Sequence, residues 1–460
     1  MRTMTPTTAG YLLTAILLSS LLILNGCSEA KTHKKDTMIH SSTQTSQQAL
    51  PDVFIRTGAL SETAEWDRTI QVVAQLTERL KEEPDHVSSL IRMSQIFMNE
   101  ARITGEHGHY YPAILDILNH VLTVPGISDD ERFDALSMKS AVLLSQHRFP
   151  EARDVALEAV PLRPHNAQIY GALVDAHVEL GQYTEAIVFA EKMMDLRPDL
   201  LSYSRASYLR EIHGDMEGAK EAMDLAVKSG YPGNENTAWC RLTLGQLHEK
   251  TGDLEAAEAQ YRQALAERPD YPFATAALAS VAQKKGEYAQ AEELLESAIA
   301  VIPEVSFYVQ MAELYASTDR EEESQQKFQE VLNMMADDEL HGHRMDIEYA
   351  KAYLHLDQDY TAALQRAMVE YEQRPKNIEV NKLLAQIHFA MGNVDKAAQH
   401  LDVATRTNTQ SHELLNLKGL IEVEKGNDEV GKNYLLLSKK MNPYQSDMYS
   451  KTATELMATL

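Results

Sequence analysis

The chain repeats itself every 34 residues, and that period constrains its fold more than any single motif. In LGQLHEKTGDLEAAEAQYRQALAERP, fixed places are held by Leu244, Gly245, His248, Gly252, Ala257, Tyr261, Ala264 and Pro269. In LASVAQKKGEYAQAEELLESAIAVIP, the same places fall 34 residues later on Leu278, Ala279, Ala282, Gly286, Ala291, Leu295, Ala298 and Pro303. Such a period means one supersecondary unit stacked many times, each unable to bury its apolar face alone. Small residues at the eighth and twentieth places let two antiparallel helices approach closely. A glycine near the fifteenth permits the tight turn between them. The closing proline cannot continue the second helix.

The prolines act as a ruler at Pro84, Pro125, Pro164, Pro198, Pro269, Pro303, Pro375 and Pro443, with Thr409 filling one place between the last two. The ruler slips in three regions. Extra residues fall in GYPGNEN (Gly230 to Asn236) and in ADDELHGH (Ala336 to His343). Between Pro84 and Pro164 they divide between ARITGEHG, read as a lengthened turn inside one repeat, and PGISDDER before the next. Ten repeats begin near residues 87, 133, 167, 200, 238, 272, 305, 344, 378 and 412. Thr63 to Glu82 reads as an orphan second helix before them, and Gln445 to Leu460 as a closing cap.

These residues in this register resemble the tetratricopeptide repeat from about residue 62 onward. The resemblance implies an all-α, right-handed superhelical solenoid of antiparallel helix pairs, concave on the side of the first helices. It also implies a protein that binds segments of other proteins in that groove.

Composition narrows the class. A formal charge of -25 and a pI near 5.1 exclude a nucleic-acid partner, whose phosphates demand a basic face. The two cysteines, Cys27 and Cys240, have different fates. Residues 1–26 carry Arg2 and an apolar core from Tyr11 to Leu24, too short to span a bilayer comfortably and suited to a signal peptide. The ending Leu24-Asn25-Gly26-Cys27 resembles the bacterial lipobox, which implies lipidation of Cys27. Ser28 after it fits passage to the outer membrane. Residues 27–61 are polar and Ser/Thr/Gln-rich, a flexible tether with a reach of about 30 Å. The solenoid then occupies 62–444 and the capping helix 445–460. Cys240, left without a partner, suits a buried helix position.

No HExxH, GxSxG, GxxxxGK, CxxC or calcium-loop pattern occurs, so neither an enzyme nor a cofactor is expected. His177, His248 and His388 each hold the eleventh place of a repeat, where an imidazole fills an aromatic slot. His107 and His109 in EHGHYY, and His341 and His343 in ELHGHR, form two His-Gly-His pairs. In an extended loop each pair would be a workable chelate, and His107 with His109 is the candidate metal site. Stacking at about 10 Å per repeat would hold the two pairs some 70 Å apart, so they are read as separate.

Taking places 2, 5, 9 and 12 of the first helices as inward-facing, the central groove offers Asp175, Tyr208, Glu211, Trp239, Leu242, Gln246, Glu249 and Phe273. Aromatic groups beside carboxylates suit an extended peptide. The Lys/Asn clamp of cytosolic chaperone adaptors is not assembled, since Lys382 holds place 5 but Gln386 holds place 9. The whole resembles bacterial repeat-containing lipoproteins, which implies a scaffold for other envelope proteins. The alternatives are a metal-binding envelope protein, and an accessory subunit that recruits a cell-wall hydrolase or glycosyltransferase.

Overall fold

The computed structural model describes residues 52–56, 58–61, 64–445 and 448–458. The expected signal peptide, Cys27 and most of the tether lie outside the described residues. Among the described residues the chain is helical throughout, with no strand. Helix α1 (Ala64–Glu82) precedes ten antiparallel pairs. The first five are α2 (Val87–Thr104) with α3 (His107–Val121), α4 (Asp129–Ser145) with α5 (Phe149–Ala159), α6 (Ala167–Glu179) with α7 (Tyr183–Leu196), α8 (Leu200–Ile212) with α9 (Met216–Ser229), and α10 (Glu235–Lys250) with α11 (Leu254–Glu267). The next five are α12 (Pro272–Lys284) with α13 (Tyr288–Val301), α14 (Val305–Ser317) with α15 (Glu321–Leu340), α16 (Asp346–Ala352) with α17 (Tyr360–Gln373), α18 (Ile378–Ala390) with α19 (Val394–Ala404), and α20 (His412–Glu424) with α21 (Asp428–Met441). Helix α22 (Ser450–Met457) lays Ala453 against the core of α20.

Local chemistry sets these boundaries. Side chains of Ser128, Asn166, Asp199, Asn234, Asn377 and Ser411 cap first helices of pairs by accepting orphan backbone N–H groups. The residue that turns the chain between helices has positive φ in every pair. It is glycine in most, and His147, Asp319 and Gln358 in three. At the twentieth place Ala152, Ala186, Ala219, Ala257, Ala291, Ala363 and Ala397 are fully buried, so the paired helices meet at a methyl group's distance. Cys240 is fully buried, and burial pushes its thiol up, out of reach of ordinary nucleophilic chemistry.

Two expectations are corrected here. The extra residues near Gly108 do not lengthen a turn. They lengthen α2 to 18 residues, and the turn remains short, with Gly105 at φ 78. Gly108 instead lies inside α3, where a Cβ would stand 2.8 Å from the ring of His341. The end of the expected tether is also not free. The Arg56 guanidinium is buried against Glu100 at 2.7 Å, Phe54 N donates to the Tyr110 hydroxyl, and Phe54 stacks on His109 at 4.0 Å.

The largest difference concerns the path of the whole. About six repeats complete one turn of the superhelix, and the second turn lies directly on the first. The turn inside each of the second to fifth pairs meets the loop that follows a later pair. Gln146 and His147 meet Arg344, Glu179 and Gly181 meet Arg374 to Asn377, Gly214 meets Asn408, and Glu249 and Gly252 meet Asn442 and Pro443. The chemistry of this seam is that of helix ends. Glu179 ends α6 and Glu249 stands one residue before the end of α10, where the last carbonyls lack intrahelical partners. Asn377 Nδ2 donates to Glu179 O at 2.9 Å, and Asn442 Nδ2 to Glu249 O at 3.2 Å. Reciprocally, the Tyr183 hydroxyl accepts the orphan N–H of Ile378 at 2.9 Å. Arg374 is buried between Glu179 and Glu370 at 2.5 Å from each, with its guanidinium over the Phe149 ring.

Candidate functional site

The superhelical return brings together the two His-Gly-His segments that solenoid stacking was expected to keep far apart. The rings of His107 and His343 lie 6.1 Å apart between centroids, and Tyr111 stacks on His107 at 5.0 Å. His147 joins them, its Nδ1 on Arg344 O at 2.8 Å. Within each pair, however, the chelate is not formed. His107 and His109 lie on α3, where residues two apart point to opposite sides of a helix rather than the same side of a loop. His107 turns into the seam, while His109 stacks on Phe54 and reaches Asp52 O at 2.8 Å. Among the described residues no three His, Cys, Asp or Glu side chains are arranged to hold a metal ion. Burial draws His107 down to about 4 and His343 to about 3, so both are neutral near pH 7.

His177 and His388 fill buried aromatic slots as their place implies, with His177 against Phe189 at 5.2 Å and His388 stacked on His400 at 5.4 Å. His248 is half-buried beside Asp253.

On the inner face of the first turn, the carboxylates expected to meet a partner are engaged within the chain. Asp175 takes a bidentate pair of bonds from Arg205 of α8 and is buried with it. Glu211 pairs with Lys250 of α10. Glu249 accepts from Lys284 at 2.6 Å, from the Tyr261 hydroxyl at 2.8 Å and from Ser280. Each of these carboxylates meets a cation on the next first helix, so the pairs form a ladder across neighbouring repeats. Leu242 is buried, and Trp239 packs half-buried beside Cys240 and Met223. Phe273 meets Phe307 edge-on at 5.5 Å, in a cluster that Leu60 joins from the N-terminal side. Tyr208 is half-buried against Val174 and Tyr183, and Gln246 is half-buried. The eight positions therefore form an interlocked wall rather than one open patch.

The inner face of the second turn is different. Glu313 on α14 is 3 % exposed, and its Oε1 has no hydrogen-bond partner. Glu348 Oε2 and His355 Nδ1 are likewise shielded and unpartnered. Lys382 bridges Glu413 at 3.0 Å and Glu379 at 3.3 Å, which removes it from any clamp on a foreign carboxylate. Burial, with Glu413 adding, pushes the Glu313 carboxyl up to about 8. Glu413 is held down at about 2: burial opposes its charge, but Lys382 and the neighbouring His412 and His355 outweigh it.

These groups lie at the pair of α16 and α17, whose first helix is broken by a π-segment. Lys351 holds the eighth place, where other repeats carry Ser140, Val174, Ser207, Gly245, Ala279, Ala312, Ala385 and Gly419. A lysine cannot sit between two close helices. Helix α16 stops after seven residues and the chain continues as a π-helix, Tyr353–Asp357, which carries His355. Such π-segments recur at functional sites. Reading inward places alone missed this cluster, although the lysine at a small-residue place was a visible signal.

Known proteins place the chain by its repeats. Three tetratricopeptide repeat families match, at residues 138–199, at 217–270, and at 248–314 with 349–421, together just over half of the chain. The chain belongs to the tetratricopeptide-repeat proteins. It is 27% identical over 195 residues to the cellulose synthase operon protein C of Pseudomonas fluorescens, a match covering 41% of this chain and 15% of that one. It is 25% identical over 144 residues to the Hsp70-Hsp90 organizing protein of Triticum aestivum, covering 31% and 24%. The chain thus spans less than a quarter of the length of either relative. A solved tetratricopeptide repeat protein from Parabacteroides merdae is 17% identical, covering 56% of this chain and 97% of its own, with a TM-score of 0.34.

Proposed function

We propose that the protein is a non-catalytic adaptor of the bacterial cell envelope, held to the membrane by lipid on Cys27, which receives an extended segment of a partner on the inner face of its second turn. The observation that carries this reading is the set of shielded, unpartnered polar atoms on Glu313, Glu348 and His355 at the π-distorted repeat. A buried polar atom without a partner costs about 1–3 kcal/mol. A partner group that supplied the missing bonds would recover that cost. The first turn, whose inward carboxylates are paired within the chain, serves as the rigid base. The absence of catalytic sequence patterns and the match to repeat families support a binding role, and the likeness to a cellulose synthase operon protein supports service to envelope polysaccharide machinery.

Two measurements test the proposal. A photoreactive residue at Gln386, a buried position on α18 one helical turn beyond Lys382, is expected to capture a discrete partner in intact cells, whereas one at the outward-facing Glu217 captures none; failure of the inner position overturns the binding surface. Metabolic labelling with a fatty acid is expected to mark the wild-type chain and to vanish in Cys27→Ser. Equal labelling of the two overturns the anchor.

A further inference from the structure

Four carboxylates stand around two lysines at the inner face of the second turn, and the nearby Arg374 is engaged by two further carboxylates, Glu179 and Glu370. Glu313, Glu348, Glu379 and Glu413 come from four successive pairs, and Lys351 and Lys382 stand among them. Lys382 is spent between Glu379 and Glu413. Lys351 lies in the field of Glu348 and Glu379. Among the described residues Glu313 has no ion-pair partner, and the charge that acts on it is the carboxylate of Glu413. An anionic guest would add to the acidic excess. A cation would correct it.

We propose that the partner segment presents a cationic side chain, a guanidinium or an ammonium, to Glu313, and that this ion pair selects basic segments for the second turn. The inference rests on the adaptor reading above and gives its partner a chemistry. The site is enclosed: Glu313 is 97 % removed from solvent and α14 packs against the π-segment that follows α16. A charge-assisted bond made there is stronger than one at an exposed surface. In the free protein Glu313 is largely protonated at pH 7, because burial lifts its carboxyl. A guest cation favours the carboxylate, so binding moves one proton from Glu313 Oε to solvent while the cation takes its place.

The probe is a short peptide with blocked ends and one arginine between leucines, compared with its citrulline counterpart and with a glutamate counterpart. Calorimetry on the full chain is run in two buffers of different ionisation enthalpy. The arginine peptide is expected to bind at least about tenfold more tightly than either control, with proton release at pH 7. Glu313→Gln replaces a largely neutral acid by a neutral amide of the same shape, so its helicity and unfolding midpoint are expected to be unchanged. It should abolish both the preference and the proton release, whereas Glu217→Gln, on the outer face, changes neither. Equal binding of arginine and citrulline peptides, preference for the glutamate peptide, or an undiminished preference in Glu313→Gln overturns the proposal. If Gln386 still captures a partner in cells when the arginine preference is absent, the adaptor reading stands and only its cationic selectivity falls. If neither is seen, both fall.

Discussion

At the scale of the residue, glycines that look identical in the sequence carry different burdens. Gly181 and Gly392 hold the same place, with φ +69 and +76. Gly392 has open space where a Cβ would go, but at Gly181 that Cβ would lie 2.4 Å from the backbone carbon of Lys376 in the turn above. Gly392→Ala is expected to cost about 1 kcal/mol, the price of a left-handed alanine. Gly181→Ala must in addition push the seam apart, and urea denaturation of the two variants should show a clearly larger loss for it. The seam histidines give a pH dependence of definite sign. Buried His107 and His343 titrate well below the 6.5 of an unfolded histidine, so the unfolded chain takes up their protons first. Their contribution is complete above pH 6.5 and is lost as pH falls toward about 4 and about 3, at about 1.4 kcal/mol per pH unit for each ring. Around His343 stand His107, His147, His341 and Tyr111, and against burial and the other imidazoles only the hydrogen bond with the Asp338 backbone favours the charged ring. His343→Phe is therefore expected to flatten the fall in melting temperature between pH 7 and pH 5; an unchanged slope would remove the seam histidines from the account.

At the scale of the element, one side chain often serves two helices. Asn377 caps α18 through Oδ1, which accepts from Glu379 N and Val380 N, while its Nδ2 donates to the last carbonyl of α6, 198 residues away. Asn377→Asp keeps the cap and removes the donor, setting a carboxylate against a carbonyl. It is expected to lower stability by about 1–3 kcal/mol, with hydrogen exchange accelerating at the end of α6 rather than at the start of α18; acceleration confined to α18 would refute the double role. Elements were the most legible level of the sequence. Alanine at the twentieth place, glycine at the turn and asparagine or serine before the helix are local constraints, and each appears as a letter. The inward charges were less legible, because whether Asp175 or Glu249 is free depends on Arg205 or Lys284 one repeat further on. The pairing of turns was not legible at all. It grows from small rotations accumulated over six repeats, and contacts between residues nearly 200 apart leave no periodic trace. Hence EHGHYY and ELHGHR look distant along the sequence and are neighbours in the fold.

At the scale of the molecule, three places where the ruler slips prove to be in contact. Arg102, in the added turn of α2, bonds Glu235 and Asn236 in the second slip, and Gly108 and His107 in the first meet His341 and His343 in the third. The irregularities lie where the coil meets itself. An open array of repeats can gain or lose a unit and remain the same kind of object, longer or shorter. Here the loss of one 34-residue unit from the lower turn would carry every asparagine and arginine of the upper turn past its carbonyl to the wrong neighbour. The number of repeats is thus fixed by fit, as the number of staves is in a barrel. Pulled at its two ends, such a coil does not stretch like a spring; it holds its length until the bolts between its turns give way.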